Sequence, residues 1–134
     1  MTDPIQILRT FMLAQAGITA QVVTRIWGEV TPPNEVSAMP RKAIRLVVSM
    51  EGPESPLIPA LVGRATIICY GASQLEAWEV AGAVYDALRR GGMTAVPGVA
   101  NLYRLDCEQA GSFMYEPQSD WPRVTQMWSF VMEE

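Results

Sequence analysis

The chain has 134 residues, 49% of them hydrophobic, with ten Lys and Arg against fourteen Asp and Glu, a net charge of −4, two cysteines and no histidine. That length suits a single domain, expected over residues 1–134, which buries roughly two thirds of its unfolded surface without disulfide staples. An acidic balance with no basic run longer than Arg41-Lys42 or Arg89-Arg90 argues against a dedicated phosphate-backbone binder, and the absence of histidine removes the commonest general base near neutral pH and the commonest transition-metal ligand.

The opening MTDPIQILRT lacks a basic region followed by an apolar one, and no apolar run is long enough to cross a bilayer, so a soluble, unprocessed protein with no membrane partner is expected. From about Asp3 to Gln15, Ile5, Leu8, Phe11 and Met12 recur at helical spacing. Asp3 can cap this helix and Pro4 suits its first position. Gly17 is expected to break it. The next stretch, ITAQVVTRIWGEV, reads either as a helical turn leading into a short strand or as one longer strand.

AIRLVVSM alternates Ile44, Leu46, Val48 and Met50 with Arg45, Val47 and Ser49, the pattern of a strand, and ATIICYG at 65–71 is a second. Between them, EGPESPLIPALVGR carries three prolines and two glycines and is expected to be a loop. A well-marked helix follows. Ser73 and Glu76 form a capping box, so the helix should start at Gln74. Leu75, Trp78, Ala81, Gly82, Tyr85 and Leu88, widened by Ala77 and Val84, form the stripe expected to face the core, and Arg89, Arg90 and Gly91 mark the end. The small residues Ala77, Ala81, Gly82 and Ala83 would let this helix lie close on a sheet.

In NLYRLDCEQ, Tyr103, Leu105 and Cys107 alternate with Arg104, Asp106 and Glu108, a strand with one wet face. The last run, VTQMWSFVM, is apolar on both sides and belongs in the middle of a sheet or against a partner subunit. The expected fold is therefore α+β, a mostly antiparallel sheet of four to five strands with two helices packed on one face.

Chemistry is sparse. Cys69 and Cys107 fall inside strand-like runs, where a thiol most often serves as a small apolar core residue, with a disulfide or a reactive thiol as the alternatives. They have no metal-ligand spacing, and GVANL and EGPESP match neither the phosphate loop nor the dinucleotide fingerprint. The carboxylates have plain roles as caps, helix surface or strand surface. No catalytic, metal or cofactor residues are expected, and the chain is not expected to be an enzyme.

Apolar side chains in turn-rich segments stand out instead. Leu57, Ile58, Leu61 and Val62 lie in the first connection, and Phe113, Met114 and Tyr115 in AGSFMYEPQSDWP. With Trp128 and Phe130 on the last strand they are the candidate contact residues for a neighbouring subunit or partner. The alternative is that these loops fold back on their own sheet.

The N-terminal helix, VVTRIWGEVTPP, the strand AIRLVVSM, a strand ending in CYGAS and the helix SQLEAWEVAGAVYDAL together resemble the tail-terminator, or tail-completion, family of long-tailed bacteriophages. The resemblance covers most of the chain and rests chiefly on Arg25-Ile26-Trp27 and on Tyr70 to Leu88. It implies a subunit that forms a six-membered ring, caps the tail tube, ends tail polymerisation and offers the surface to which the filled head docks. Its implied partners are further copies of itself, the tail tube protein and a head-completion or neck protein, with DNA only as passing cargo. Its implied location is the head-proximal end of the virion tail, after assembly in the host cytoplasm. The alternatives are another neck component, such as a head-completion subunit, and a small host binding or enzyme-accessory domain.

Overall fold

The computed structural model describes residues 3–28, 30–89, 94–96 and 100–133, with backbone alone for 54, 55, 58, 94–96 and 100. Along the chain run α1 (Pro4–Leu13), α2 (Ala16–Val22), β1 (Ile26–Trp27), α3 (Pro33–Val36), β2 (Ala43–Ser55), β3 (Ile58–Tyr70), α4 (Gln74–Leu88), β4 (Thr94–Val96), β5 (Ala100–Tyr115) and β6 (Pro122–Glu133). The strands make one sheet in the order β1-β2-β3-β6-β5-β4. Every pairing is antiparallel except that of β1 with β2, so the fold is α+β with a mostly antiparallel sheet. The expected class holds, with four long strands and two short edge strands in place of four to five, and with α2 and α3 beside the two helices expected.

Local signals act where the sequence placed them. The Asp3 carboxylate accepts from the Ile5 amide at 2.9 Å with Pro4 at the first position, so α1 starts as expected. At α4 the Glu76 amide donates to Ser73 Oγ and the Glu76 carboxylate accepts from the Ala72 amide, each at 3.3 Å. The reciprocal cap is thus made one residue further out than the standard box. The first helix ends at Leu13, with Ala14 as its C-cap; Gly17 lies inside α2 and does not break it. Of the two readings of ITAQVVTRIWGEV, helix followed by short strand is the one observed. Arg89 is the C-cap of α4, and Arg90 and Gly91 lie outside the described residues.

α1, α2 and α4 cover one face of the sheet. Ile7, Leu8, Phe11, Met12, Ile18 and Val22 meet Ile44, Leu46, Ile67, Cys69, Leu105, Trp128, Phe130 and Met132 there. The sheet-facing line of α4 is Ala77, Val80, Ala81, Val84 and Leu88. The expected stripe is therefore rotated: Trp78 is 41% exposed, and Leu75 and Gly82 are exposed as well. Close approach of backbone to sheet requires small side chains, so the alanines and valines take the contact and the large rings move to the flank. There Trp78 lies over Gly111, where a Cβ would come within 2.7 Å of its ring.

A buried amide fixes the register of helix on sheet. Gln126 on β6, 1% exposed, donates from Nε2 to the Ala81 carbonyl at 2.8 Å and accepts from the Trp128 indole at 3.0 Å. Its polar atoms are thereby satisfied in a site closed to water. Gly71 makes the turn from β3 into α4; a Cβ there would lie 2.4 Å from the Ala77 amide nitrogen, so no other residue fits.

Two expected loops are strands. Residues 51–63 continue β2 and β3 as one long hairpin, with register shifts between Met50 and Gly52 and between Pro53 and Ser55, closing at Pro56-Leu57. Gly52 takes a φ of 120°, a conformation other residues avoid. Here glycine and proline signal a bulged edge strand, which can lack a ladder donor on its outer side. Likewise β5 runs on through Phe113, Met114 and Tyr115 before the turn at Glu116.

Candidate interaction surfaces

The candidate contact residues separate into four groups. Trp128 and Phe130 are each 1% exposed and sit in the core beneath the helices, because β6 is the central strand between β3 and β5. As contact residues they are corrected: the two-sided apolar pattern of β6 reflects its central place in the sheet. Leu61 and Phe113 are half-buried and pack on the core, and Val62 is half-buried opposite Val131. Leu57, Met114 and Tyr115 are exposed, Leu57 at 92%. The side chain of Ile58 lies outside the described residues.

The structure adds sites that periodicity did not reveal. Trp78, Ala81, Gly82, Tyr85, Ala110 and Gln126 line a mainly apolar depression of about 210 Å³ between α4 and β5. Tyr85 leans on Trp128, with ring centroids 6.0 Å apart, and carries the Arg89 guanidinium on its ring at 5.7 Å. On the opposite flank of α4, Gln15, Gly17, Gln21, Glu79, Gly82, Ala83, Asp86 and Ala87 line a wider cleft against α2, of about 590 Å³. Lys42 ties the base of that cleft together, donating to Gln21 Oε1 at 2.7 Å and to Glu79 at 3.1 Å.

The face of the sheet away from α1, α2 and α4 is polar over most of its width. Glu116, at the β5–β6 turn, accepts from Tyr70 at 2.6 Å, from Arg45 at 3.3 Å and from Arg123 at 3.4 Å, while Ser119 donates to its other oxygen at 3.2 Å. Burial, with the bond to Glu116, pushes the Tyr70 phenol well above its ordinary range. Arg64 pairs with Glu51 at 2.7 Å and reaches Glu108 at 3.6 Å, and Arg104 pairs with Asp106 at 2.9 Å. Four arginines are thus matched by four carboxylates. A face neutralised in this way offers no surplus charge to hold a phosphate backbone. At one end it is closed by a second apolar cluster, Trp27, Ala43, Ile68 and Tyr70, with Trp121 edge-on to Tyr70 at 5.7 Å.

Arg25, Ile26 and Trp27 have fold roles. Arg25 donates from Nε to the Lys42 carbonyl at 2.8 Å, Ile44 donates its amide to the Arg25 carbonyl at 2.9 Å, and Ile26 and Trp27 are buried. Together they attach β1 to β2. Burial, with Arg41 close by, lowers the Arg25 guanidinium.

Among the described residues, both sheet edges are open over much of their length. Among the described residues β1 pairs with β2 only at Ile44 and Arg45, and β4 with β5 only at residues 100–102. The outer edge of β5 from Tyr103 to Tyr115 therefore has no strand beside it among the described residues, although three register shifts interrupt its regularity. Cys69 is buried, which pushes its thiol up, and Cys107 is exposed; both are free thiols, so only one of them is the core residue expected. Among the described residues no group of three or more His, Cys, Asp or Glu side chains could hold a metal ion, and no helix is long and apolar enough to cross a membrane.

Neither the protein-family models nor the curated proteins compared with the sequence give a match. Among solved structures, the fold is similar to that of a chain in the virion of a native gene transfer agent (GTA) particle, with a TM-score of 0.69 and 16% identity over 98% of this chain and 95% of that one.

Proposed function

We propose that this chain is a structural protein of a phage or phage-like virion, and within it the subunit that forms a ring, six-membered by the family resemblance, on the head-proximal end of the tail tube. There it ends tail polymerisation and presents the surface that joins the head. The observation that carries the coarser part is the near end-to-end match of the fold to a chain of a gene transfer agent virion. The finer part is supported by the resemblance of VVTRIWGEVTPP and of the Tyr70–Leu88 passage to tail terminators, and by the exposed apolar hairpin tip and open sheet edges, which suit contact with further copies. The neutralised face suits passage of DNA without retention, and the chain acts as a non-enzymatic structural element. Its partners are copies of itself, the tail tube protein and a head-completion or neck protein.

The test is a reconstruction of the assembled particle. Several copies in a ring at the junction of tube and head are expected, and particles lacking the chain should hold filled heads apart from tails. A single copy per particle, or a position away from the head-proximal end of the tube, would falsify the tail-terminator reading.

A further inference from the structure

We infer that the β2–β3 hairpin tip of one copy seats Leu57 in the Trp78–Tyr85 depression of the next. This rests on the proposal that the chain self-associates, and names the contact by which it does so. Leu57 is the most exposed large apolar side chain among the described residues, at 92%, and stands at a tight turn flanked by Pro53, Pro56 and Pro59. Prolines on both arms limit the freedom that would be lost on docking. The depression, about 210 Å³ and mainly apolar, is of the size to take one branched aliphatic side chain.

A chain cannot fill its own depression. The hairpin passes the end of β6 where Ala60 lies opposite Glu133, whereas the depression sits over Gln126. Those points are about 23 Å apart at ~3.3 Å per residue. The knob and the hole are therefore available only to different copies.

One feature at the depression fits an incoming backbone. Gly82 lies in the middle of α4, exposed, and a Cβ there would meet nothing within 4 Å, so the fold of the single chain gives no reason for glycine. Glycine weakens a helix interior and is used where another chain approaches closely. Charge does not oppose the contact: Glu51 on the hairpin is already paired with Arg64 at 2.7 Å, and Arg89 at the rim with Asp86 at 3.7 Å. The contact is a protrusion in a hollow, so it joins different surfaces of neighbouring copies; made once between each pair of copies, it propagates head to tail, as the proposed ring requires.

The test uses the full chain carrying Cys107→Ser, so that the buried Cys69 is the only native thiol left. Leu57→Cys and Gly82→Cys are made separately, then mixed under mild oxidation. A disulfide-linked dimer in the mixture, absent from either variant alone, is expected; the chain carrying both changes should give a ladder of linked species. Leu57→Ser and Gly82→Leu, each at an open position, should keep the melting transition of the parent while weakening self-association at least tenfold by sedimentation. Equal cross-linking in the single variants and the mixture overturns the contact. An oligomer that persists in Leu57→Ser without cross-links also overturns it but leaves the self-association reading standing. A parent that remains monomeric at all concentrations removes both.

Discussion

Replacing Gln126 by leucine tests whether Trp128 belongs to the core. Leucine is close to glutamine in volume, so no cavity opens at this site, 1% exposed. What is lost is the acceptor for the Trp128 indole N–H, now 3.0 Å away, and the bond from Nε2 to the Ala81 carbonyl at 2.8 Å. The Ala81 carbonyl keeps its place in the helix ladder, but the indole N–H is left buried and unpaired, which costs about 1–3 kcal/mol. At this chain length that corresponds to a fall in melting temperature of about 3–6 °C per kcal/mol. Adding Trp128→Phe removes the orphaned donor. In the leucine background Trp128→Phe should therefore cost less than in the parent, by a coupling of about 1–3 kcal/mol measured by urea unfolding in a double-mutant cycle. Strict additivity, or a Gln126→Leu protein as stable as the parent, would show that the indole and the amide do not form the bond that fixes α4 on β6.

Two further outcomes follow from burial. Trp78→Ala should lower stability by only about 1–2 kcal/mol by urea unfolding, below the 3–5 kcal/mol typical of a fully buried tryptophan, because the ring is 41% exposed and touches the sheet chiefly at Gly111; a loss in the full range would place the ring in the core after all. Stability should also fall in alkali: the folded chain keeps the Cys69 and Tyr70 protons above the ordinary values of 9.0 and 10.0 at which the unfolded chain releases them, so the stability is complete below about pH 9 and declines above it. Tyr70→Phe should flatten the part of that decline that begins near pH 10, and an unfolding midpoint unchanged between pH 8 and 11 would refute the burial of both groups.

Much of the fold was legible because it is set by short-range chemistry. Asp3-Pro4 and Ser73-Glu76 satisfy backbone amides within four residues of themselves, and alternation in 43–50 and 65–70 needs only one buried face to be read. What misled was side-chain size. Leu75, Trp78 and Tyr85 look like a core stripe by hydrophobicity, yet the sheet accepts Ala77, Val80, Ala81 and Val84, because only these let the helix axis come close. Proline and glycine misled in the same way at 51–63, where Gly52 and Pro53 lie at bulges of β2 and Gly63 makes room for Phe130, so the segment is a hairpin and not a loop. The site was less legible than the fold, since Trp78 and Ala110 meet only through tertiary packing.

These corrections also bear on the geometry of the proposed self-association. With Trp128 and Phe130 taken into the core, the candidate contact residues left exposed and the hollow are unlike one another: a projecting leucine at one end of the sheet, a hollow beside α4, and Met114 and Tyr115 at the far end of β5. A two-fold dimer buries both knobs only if each hairpin reaches the other copy's hollow at the same time. A single knob-in-hollow contact leaves the hollow of one copy and the knob of the other unfilled. Where those two contacts cannot form at once, a closed ring buries every knob in a hollow, and an open chain exposes one of each at its ends. Closure then depends on the rotation between successive copies, which the right-handed twist of the sheet carrying both the hairpin and β5 helps to set. In the proposed ring the polar, charge-balanced face of that sheet would be available to line a channel, because the depression lies on the other side, beside α4.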